Sequence, residues 1–229
     1  MFSTPTSENT LCSRFFLRLL YFAIFFFPVM TCKDIHPIRG RQVERSQKEK
    51  LLGQKGSVFW LCGLSGSGKS TLAIDLENRL GQKGIFSIVL DGDNLRSGLN
   101  QDLGFSDDDR RENIRRTTEL AKILCQSGVA VIVSCITPLQ EFRDSAKENI
   151  GTGDYKEVYV KASFSECKKR DVKGLYAKAA TSAVPAFTGS TSSFEEPRLP
   201  DLTIETEKES LTESSSKLYS FVMSTLSSS

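Results

Sequence analysis

Apolar residues along this chain fall into short unbroken runs, and the stretches between the runs are amphipathic. Val58-Phe59-Trp60-Leu61-Cys62 is uniformly apolar, which predicts a strand buried on both faces. Residues 71–80 carry apolar side chains at helical spacing and predict a helix over about 69–82, stopped at Gly84. Residues 85–90 read as a second strand that runs into Asp91-Gly92-Asp93. A helix follows over about 110–126, with Ile114, Ala121 and Leu124 on one face and Asp107, Asp108 or Asp109 as its cap. Residues 129–134 predict a third strand, 139–149 a helix, 155–160 a fourth strand and 202–205 a fifth. Residues 34–56 are polar and charged, a leading segment. The stretch 190–200 is rich in Ser and Pro and reads as a lid or surface loop, and 210–229 as a Ser-rich packing helix that frays. Strands alternating with helices imply βαβ units: an α/β fold with a parallel sheet, helices on both faces and ligands at the carboxyl ends of the strands.

The chain has 229 residues, enough for one large domain with a tail at each end. Its 30 basic and 28 acidic residues nearly balance, which gives no case for nucleic-acid binding by charge. The six cysteines, at 12, 32, 62, 125, 135 and 167, show no Cys-x-x-Cys spacing and several lie in apolar runs. They read as small buried hydrophobes in a reducing compartment. The single histidine, His36, argues against a histidine-based metal site. Residues 15–30 are apolar apart from Arg18, a length closer to a signal-peptide core than to a membrane span. Residues 1–33 are therefore set apart as a targeting or anchor segment, a transit-like extension or a spurious start, and residues 34–229 as the catalytic domain. A cytoplasmic location is expected, with a plastid or membrane-associated one as the alternative; membrane contact is expected only if that segment is retained.

One motif changes the picture. Gly63-Leu64-Ser65-Gly66-Ser67-Gly68-Lys69-Ser70 fits the phosphate-loop (P-loop) pattern, and it lies between a predicted strand and a predicted helix. Its glycines let backbone N–H groups turn inward onto phosphate oxygens. Lys69 then reaches the β- and γ-phosphates, and the Ser70 hydroxyl is placed to hold Mg²⁺. The fold expectation narrows to a P-loop NTPase-type sheet.

Further candidates cluster downstream. Asp91 and Asp93 end the second strand; one carboxylate suits the Mg²⁺ shell and the other an acceptor hydroxyl. Arg96 and Arg110, with Asn113, suit an anionic substrate, because guanidinium forks bind sulfate and phosphate oxygens in pairs. Arg111 and Arg115 read as a solvated face paired with residues 107–109. Phe105 and Phe187 lie on loops where they could sandwich a purine. Lys173 precedes a glycine, as suits a lid residue over phosphates. A non-catalytic reading attends each of these: a turn and cap for Asp91 and Asp93, core for the aromatics, and a surface lysine for Lys173.

From about residue 34 to 222 the chain resembles the adenylylsulfate kinase (APS kinase) family. The resemblance rests on the phosphate loop, on Asp91-Gly92-Asp93-Asn94-Leu95-Arg96-Ser97-Gly98-Leu99-Asn100, on Leu103-Gly104-Phe105-Ser106 and on Asp109-Arg110-Arg111-Glu112-Asn113. Gly53-Gln54-Lys55-Gly56, Lys173-Gly174-Leu175-Tyr176 and Phe187-Thr188-Gly189 add to it. It implies MgATP-dependent phosphorylation of the 3′-hydroxyl of adenosine 5′-phosphosulfate (APS), giving 3′-phosphoadenosine 5′-phosphosulfate (PAPS) for sulfate assimilation, by a homodimer. It also implies that Asp93, Arg96, Phe105, Arg110 and Asn113 contact APS. Phe105 and Phe187 would stack its adenine, and Lys173 would come from a lid at about 172–200. Lys69, Asp91, Asp93 and Thr137 are the candidate catalytic residues.

Three departures stand out. Ile136-Thr137-Pro138 replaces the family's Ile-Ser-Pro, whose serine is often described as a phosphorylated intermediate, so Thr137 keeps a hydroxyl while a covalent role loses support. Gln140 stands where an arginine is usual. Ala180, Ser182-Ala183 and Pro185 replace charged lid residues, which predicts weaker closure and a lower rate. Two rivals follow: a P-loop kinase for a nucleoside or sugar, and a catalytically weakened nucleotide-binding regulatory module.

Overall fold

The computed structural model describes residues 38–170 and 194–227. The chain divides into two units, residues 1–42 and 43–229. In the first, the described residues form a 3-10 turn at Arg39–Arg41. The second begins with α1 (Arg45–Leu52), which ends on Gly53 in the left-handed region at φ 64°. It continues through β1 (Ser57–Cys62), α2 (Lys69–Gln82), β2 (Ser87–Asp91), α3 (Gly92–Arg96), α4 (Asp107–Cys125), β3 (Ala130–Ser134) and α5 (Gln140–Ile150). β4 (Tyr155–Lys161), α6 (Phe164–Arg170), β5 (Leu202–Glu205) and α7 (Leu211–Ser227) complete it.

The five strands form one parallel sheet in the order β2-β3-β1-β4-β5. Every residue of β1 is buried, as its unbroken apolar run predicts. Alternate residues face opposite layers. Val58, Trp60 and Cys62 pack with Ile114, Ala121 and Cys125 of α4 and Phe142 and Ala146 of α5. Phe59 and Leu61 pack with Leu72, Ala73, Leu76 and Leu80 of α2 and Leu218 and Val222 of α7. Helices thus cover both faces, and the loops at the carboxyl ends of the strands lie together on one edge.

Several boundaries differ from expectation. α4 starts at Asp107, capped by Ser106, whose Oγ accepts from Asp109 N at 3.2 Å. The three aspartates therefore occupy its first turn, where carboxylates favour the helix dipole. β2 starts two residues later than expected, after the turn at Gly84 (φ 74°). α7 is a packed helix whose Leu218 and Val222 are fully buried, so the serines conceal a core element. α1, α3 and α6 were not expected as helices; α1 buries no residue at all. Cys62, Cys125, Cys135 and Cys167 are free and buried, and burial pushes the Cys62 and Cys135 thiols up to about 12. Among the described residues no helix is long and apolar enough to cross a membrane.

Candidate active site

The phosphate-loop residues fold as the tight connection between β1 and α2. Gly63, Gly66 and Gly68 have φ of 147°, 80° and 103°. A side chain at 63 would strike the Val160 carbonyl of β4, and one at 66 would come within 3.0 Å of the Cys167 carbonyl. Glycine alone admits both the turn and the close approach. Lys69 is buried, and its Nζ donates to the Gly63 and Leu64 carbonyls at 2.9 and 2.8 Å. Ser67 Oγ is buried and has no hydrogen-bond partner among the described residues. The loop is braced from β5: Thr206 Oγ1 donates to the Ser67 carbonyl at 2.8 Å, and Arg170 Nη2 donates to the Thr206 carbonyl at 2.8 Å.

Beside the loop, Ser70 Oγ donates to Asp91 Oδ2 at 2.7 Å and Ser134 Oγ donates to the same oxygen at 3.1 Å. The two hydroxyls are 3.3 Å apart. Sheet register makes this meeting possible, since Asp91 and Ser134 are paired at the ends of β2 and β3. Asp91 Oδ1 accepts from Asp93 N at 3.0 Å, so Asp91 also caps α3. One carboxylate and two hydroxyls are hard oxygen donors, the kind Mg²⁺ takes alongside phosphate oxygens and water. Among the described residues no group of three or more His, Cys, Asp or Glu is arranged to hold a metal, so the donors available are these oxygens.

A second cluster lies around the loop 103–105. Arg96, at the end of α3, donates through Nη1 to the Leu103 and Gly104 carbonyls at 3.2 and 2.7 Å. Its Cζ lies 4.5 Å from the centre of the Phe105 ring. Arg110 Nε donates to the Phe105 carbonyl at 3.0 Å. Burial, before any other cause, pushes both guanidiniums below their ordinary range, and the charge of Arg96 pushes Arg110 further. Two partly desolvated like charges at one loop favour a shared anion. Asp93 contributes the opposite charge beside Arg96. Asn113 is buried, and its Oδ1 accepts from Asn100 Nδ2 at 2.9 Å.

The structure thus brings Lys69, Ser70 and Asp91 together, and Arg96, Phe105 and Arg110 together. Lys173, Phe187, most of the expected lid and residues 1–33 lie outside the described residues. Arg111 and Arg115 do form surface pairs, but their partners are Glu141 and Glu112 at 2.9 and 2.7 Å. Residues 107–109 occupy the first turn of the helix. Thr137 is 1% exposed, and its Oγ1 accepts from Trp60 Nε1 at 2.9 Å. Gln140 accepts through Oε1 from Arg143 Nη2 at 2.9 Å. Ser134, Thr206 and Arg170 are site residues that sequence reading missed. Ser134 alone carried a signal, as the polar end of an apolar run.

The adenylylsulphate kinase family model matches residues 55–205. The chain is 49% identical to the adenylyl-sulfate kinase of Phocaeicola vulgatus over 83% of its own length and 94% of the relative's. Against the adenylyl-sulfate kinase of Bacillus velezensis the figures are 47%, 86% and 100%. Among solved structures, the APS kinase of Mycobacterium tuberculosis in complex with AMPPNP and APS is 42% identical, with a TM-score of 0.71 over 74% of this chain and 99% of that one. The hexameric APS kinase of Thiobacillus denitrificans matches at 25% identity and a TM-score of 0.57 over 75% of this chain and 29% of that one. A gluconokinase of Sinorhizobium meliloti, at 19% identity and a TM-score of 0.53 over 76% and 94%, shares the fold. A phosphate cradle beside a paired-arginine loop, and these likenesses over most of the chain, lead to one conclusion: the chain belongs to the adenylylsulphate kinase family.

Proposed function

We propose that this protein transfers the γ-phosphate of ATP to the 3′-hydroxyl of APS, giving ADP and PAPS. The observation that carries the reading is the Arg96–Phe105–Arg110 cluster: two guanidiniums and an aromatic face beside a phosphate loop, matched to a sulfonated nucleotide. The amides of residues 63–70 and Lys69 bind the β- and γ-phosphates. Ser70 and Asp91 would hold Mg²⁺, which would supply neutralising charge to those phosphates. Asp93 orients or deprotonates the acceptor hydroxyl. Arg96 and Arg110 hold the phosphosulfate, Phe105 stacks on the adenine, and Asn113 adds a further contact to APS. Phe187 and Lys173 would complete the substrate contacts. Transfer of this kind asks the protein for alignment and charge neutralisation more than for bond chemistry.

A homodimer in a reducing, cytoplasmic compartment is the setting we infer. The family resemblance supports the dimer, and the four free buried thiols support the compartment. Light scattering tests the dimer.

The decisive assay gives the chain MgATP with APS and, separately, with nucleosides and sugars. PAPS and ADP are expected with APS alone. Phosphorylation of a nucleoside or sugar would instead favour another small-molecule kinase, and ATP binding without transfer at saturating APS a regulatory module. Asp93→Asn should lower turnover more than ATP affinity; wild-type turnover in that variant would remove the role given to the carboxylate.

A further inference from the structure

Thr137 is the one non-glycine residue with positive φ among the described residues, at 45°. For a β-branched residue that backbone region is unfavourable, so it persists only where the surroundings enforce it. Two fully buried side chains enforce it here. Trp60 Nε1, from β1, donates to Thr137 Oγ1 at 2.9 Å, and Arg143 Nη1, from α5, donates to the Thr137 carbonyl at 2.7 Å. Arg143 Nη2 reaches the Glu195 carbonyl at 2.7 Å, and Glu195 N in turn donates to the Pro138 carbonyl at 2.9 Å. The guanidinium charge faces Glu157 on β4, Nε to Oε1, at 3.0 Å. A buried cation is costly unless it is paired; here Glu157 supplies the opposite charge without a hydrogen bond to Nε, and the Nη donors are directed onto one turn, Gln140 and the segment packed on them. That turn adjoins the phosphate loop. Gly63 N donates to the Ile136 carbonyl at 3.3 Å, and Ser134, at the end of β3 just before the turn, donates to Asp91.

We propose that Trp60 and Arg143 are positioning residues for phosphoryl transfer, clasping Thr137 in its left-handed conformation so that the turn 136–138 fixes the start of the phosphate loop. In this arrangement the Thr137 hydroxyl is an acceptor for the indole and does not carry phosphate. The inference rests on the kinase reading above.

Trp60→Phe and Thr137→Val break the same hydrogen bond from opposite sides. Each is expected to lower kcat about 10-fold, the scale of a small misplacement of reacting groups. KM for ATP and for APS should stay within about threefold of wild type, as for an interaction felt mainly in the transition state. The double variant should be no slower than either single one. Arg143→Lys, which keeps the charge and loses the fork, should lower kcat at least as much. An inactive Thr137→Val beside a fully active Trp60→Phe would overturn the proposal and return the hydroxyl to chemistry. Additive losses, or wild-type kcat in both single variants, would overturn it as well.

Trp60 is the only tryptophan in the chain, so its emission reports on the clasp apart from turnover. Thr137→Val should shift that emission in the full-length protein, and an unmoved spectrum counts against the clasp even if wild-type protein makes no PAPS. Absence of PAPS from wild-type protein with a shifted Thr137→Val spectrum would instead strike the kinase reading.

Discussion

Ser70 Oγ donates to Asp91 Oδ2 at 2.7 Å, joining the first turn of the phosphate-loop helix to the end of the neighbouring parallel strand. The two residues lie 21 positions apart in sequence and meet because β1, β3 and β2 are in register at Leu61, Ser134 and Asp91. Asp91→Asn keeps the shape and removes the charge, and Ser70→Ala removes the hydroxyl. Each should raise the Mg²⁺ concentration needed for half-maximal turnover about 10-fold or more, as for lost or misoriented metal ligands. A titration of turnover against Mg²⁺ checks this, and an unchanged midpoint in both would count against the metal role.

Lys69 Nζ donates to two carbonyls of the phosphate loop. Lys69→Ala should lose about 10²-fold or more in kcat, the scale for removing a preorganised donor to developing charge. Circular dichroism and a thermal melt should show the fold retained. A variant within a few-fold of wild type would leave phosphate positioning to the backbone alone.

Arg96 and Arg110 share the loop that carries Phe105. Replacing either by Lys keeps a positive charge but loses the planar fork. KM for APS should rise about 10-fold, in line with the loss of a charge-assisted hydrogen bond, while KM for ATP changes little. Steady-state kinetics with each substrate varied in turn separates the two; a rise confined to ATP would assign these arginines to the wrong substrate.

Acid stability has a local source. Arg115 and Arg116 hold the Glu112 carboxyl at about 2, below the ordinary 4.5. A carboxyl held low in the folded state stabilises it above the unfolded value and loses that contribution as pH falls. Wild type should therefore exceed Glu112→Gln in stability above pH 4.5, and the two should converge as pH falls to about 2. Urea titrations at several pH values test the sign, and a gap that widens on acidification would reverse it.

Leu218 on α7 is fully buried against β1 and α2. Leu218→Ala should cost about 2–5 kcal/mol, the range for truncating a buried leucine. Denaturant unfolding measures it, and a loss near zero would mean that α7 adds little to the core.

The sheet was legible because doubly covered strands must be apolar throughout, and β1 and β3 are nearly so. α1 escaped notice because it buries nothing and α3 because five residues show no period; α7 was legible as a packing helix, but the depth of its burial was not, since Ser214 and Ser215 are among its four buried positions. The phosphate loop was visible because its chemistry is written in consecutive residues. Ser134, Thr206 and Arg143 were not, since each acquires its partner only through register or packing: Asp91 across the sheet, Ser67 from β5, Thr137 from α5. The partner of Arg111 was misread for the same reason, since Glu141 reaches it only through packing, whereas Arg115 pairs locally with Glu112 at i,i+3.

Thr206 follows β5, the last strand, yet its side chain steadies Ser67 in the loop after the first, 139 positions earlier. The nucleotide cradle is thus closed by residues made long after the motif itself. A ribosome that has released residue 200 has produced every letter of the phosphate-loop motif without the strand and helix that seat it. Fragments cut short there should bear the signature of a nucleotide enzyme while lacking its grip, which needs β5, Thr206 and α7.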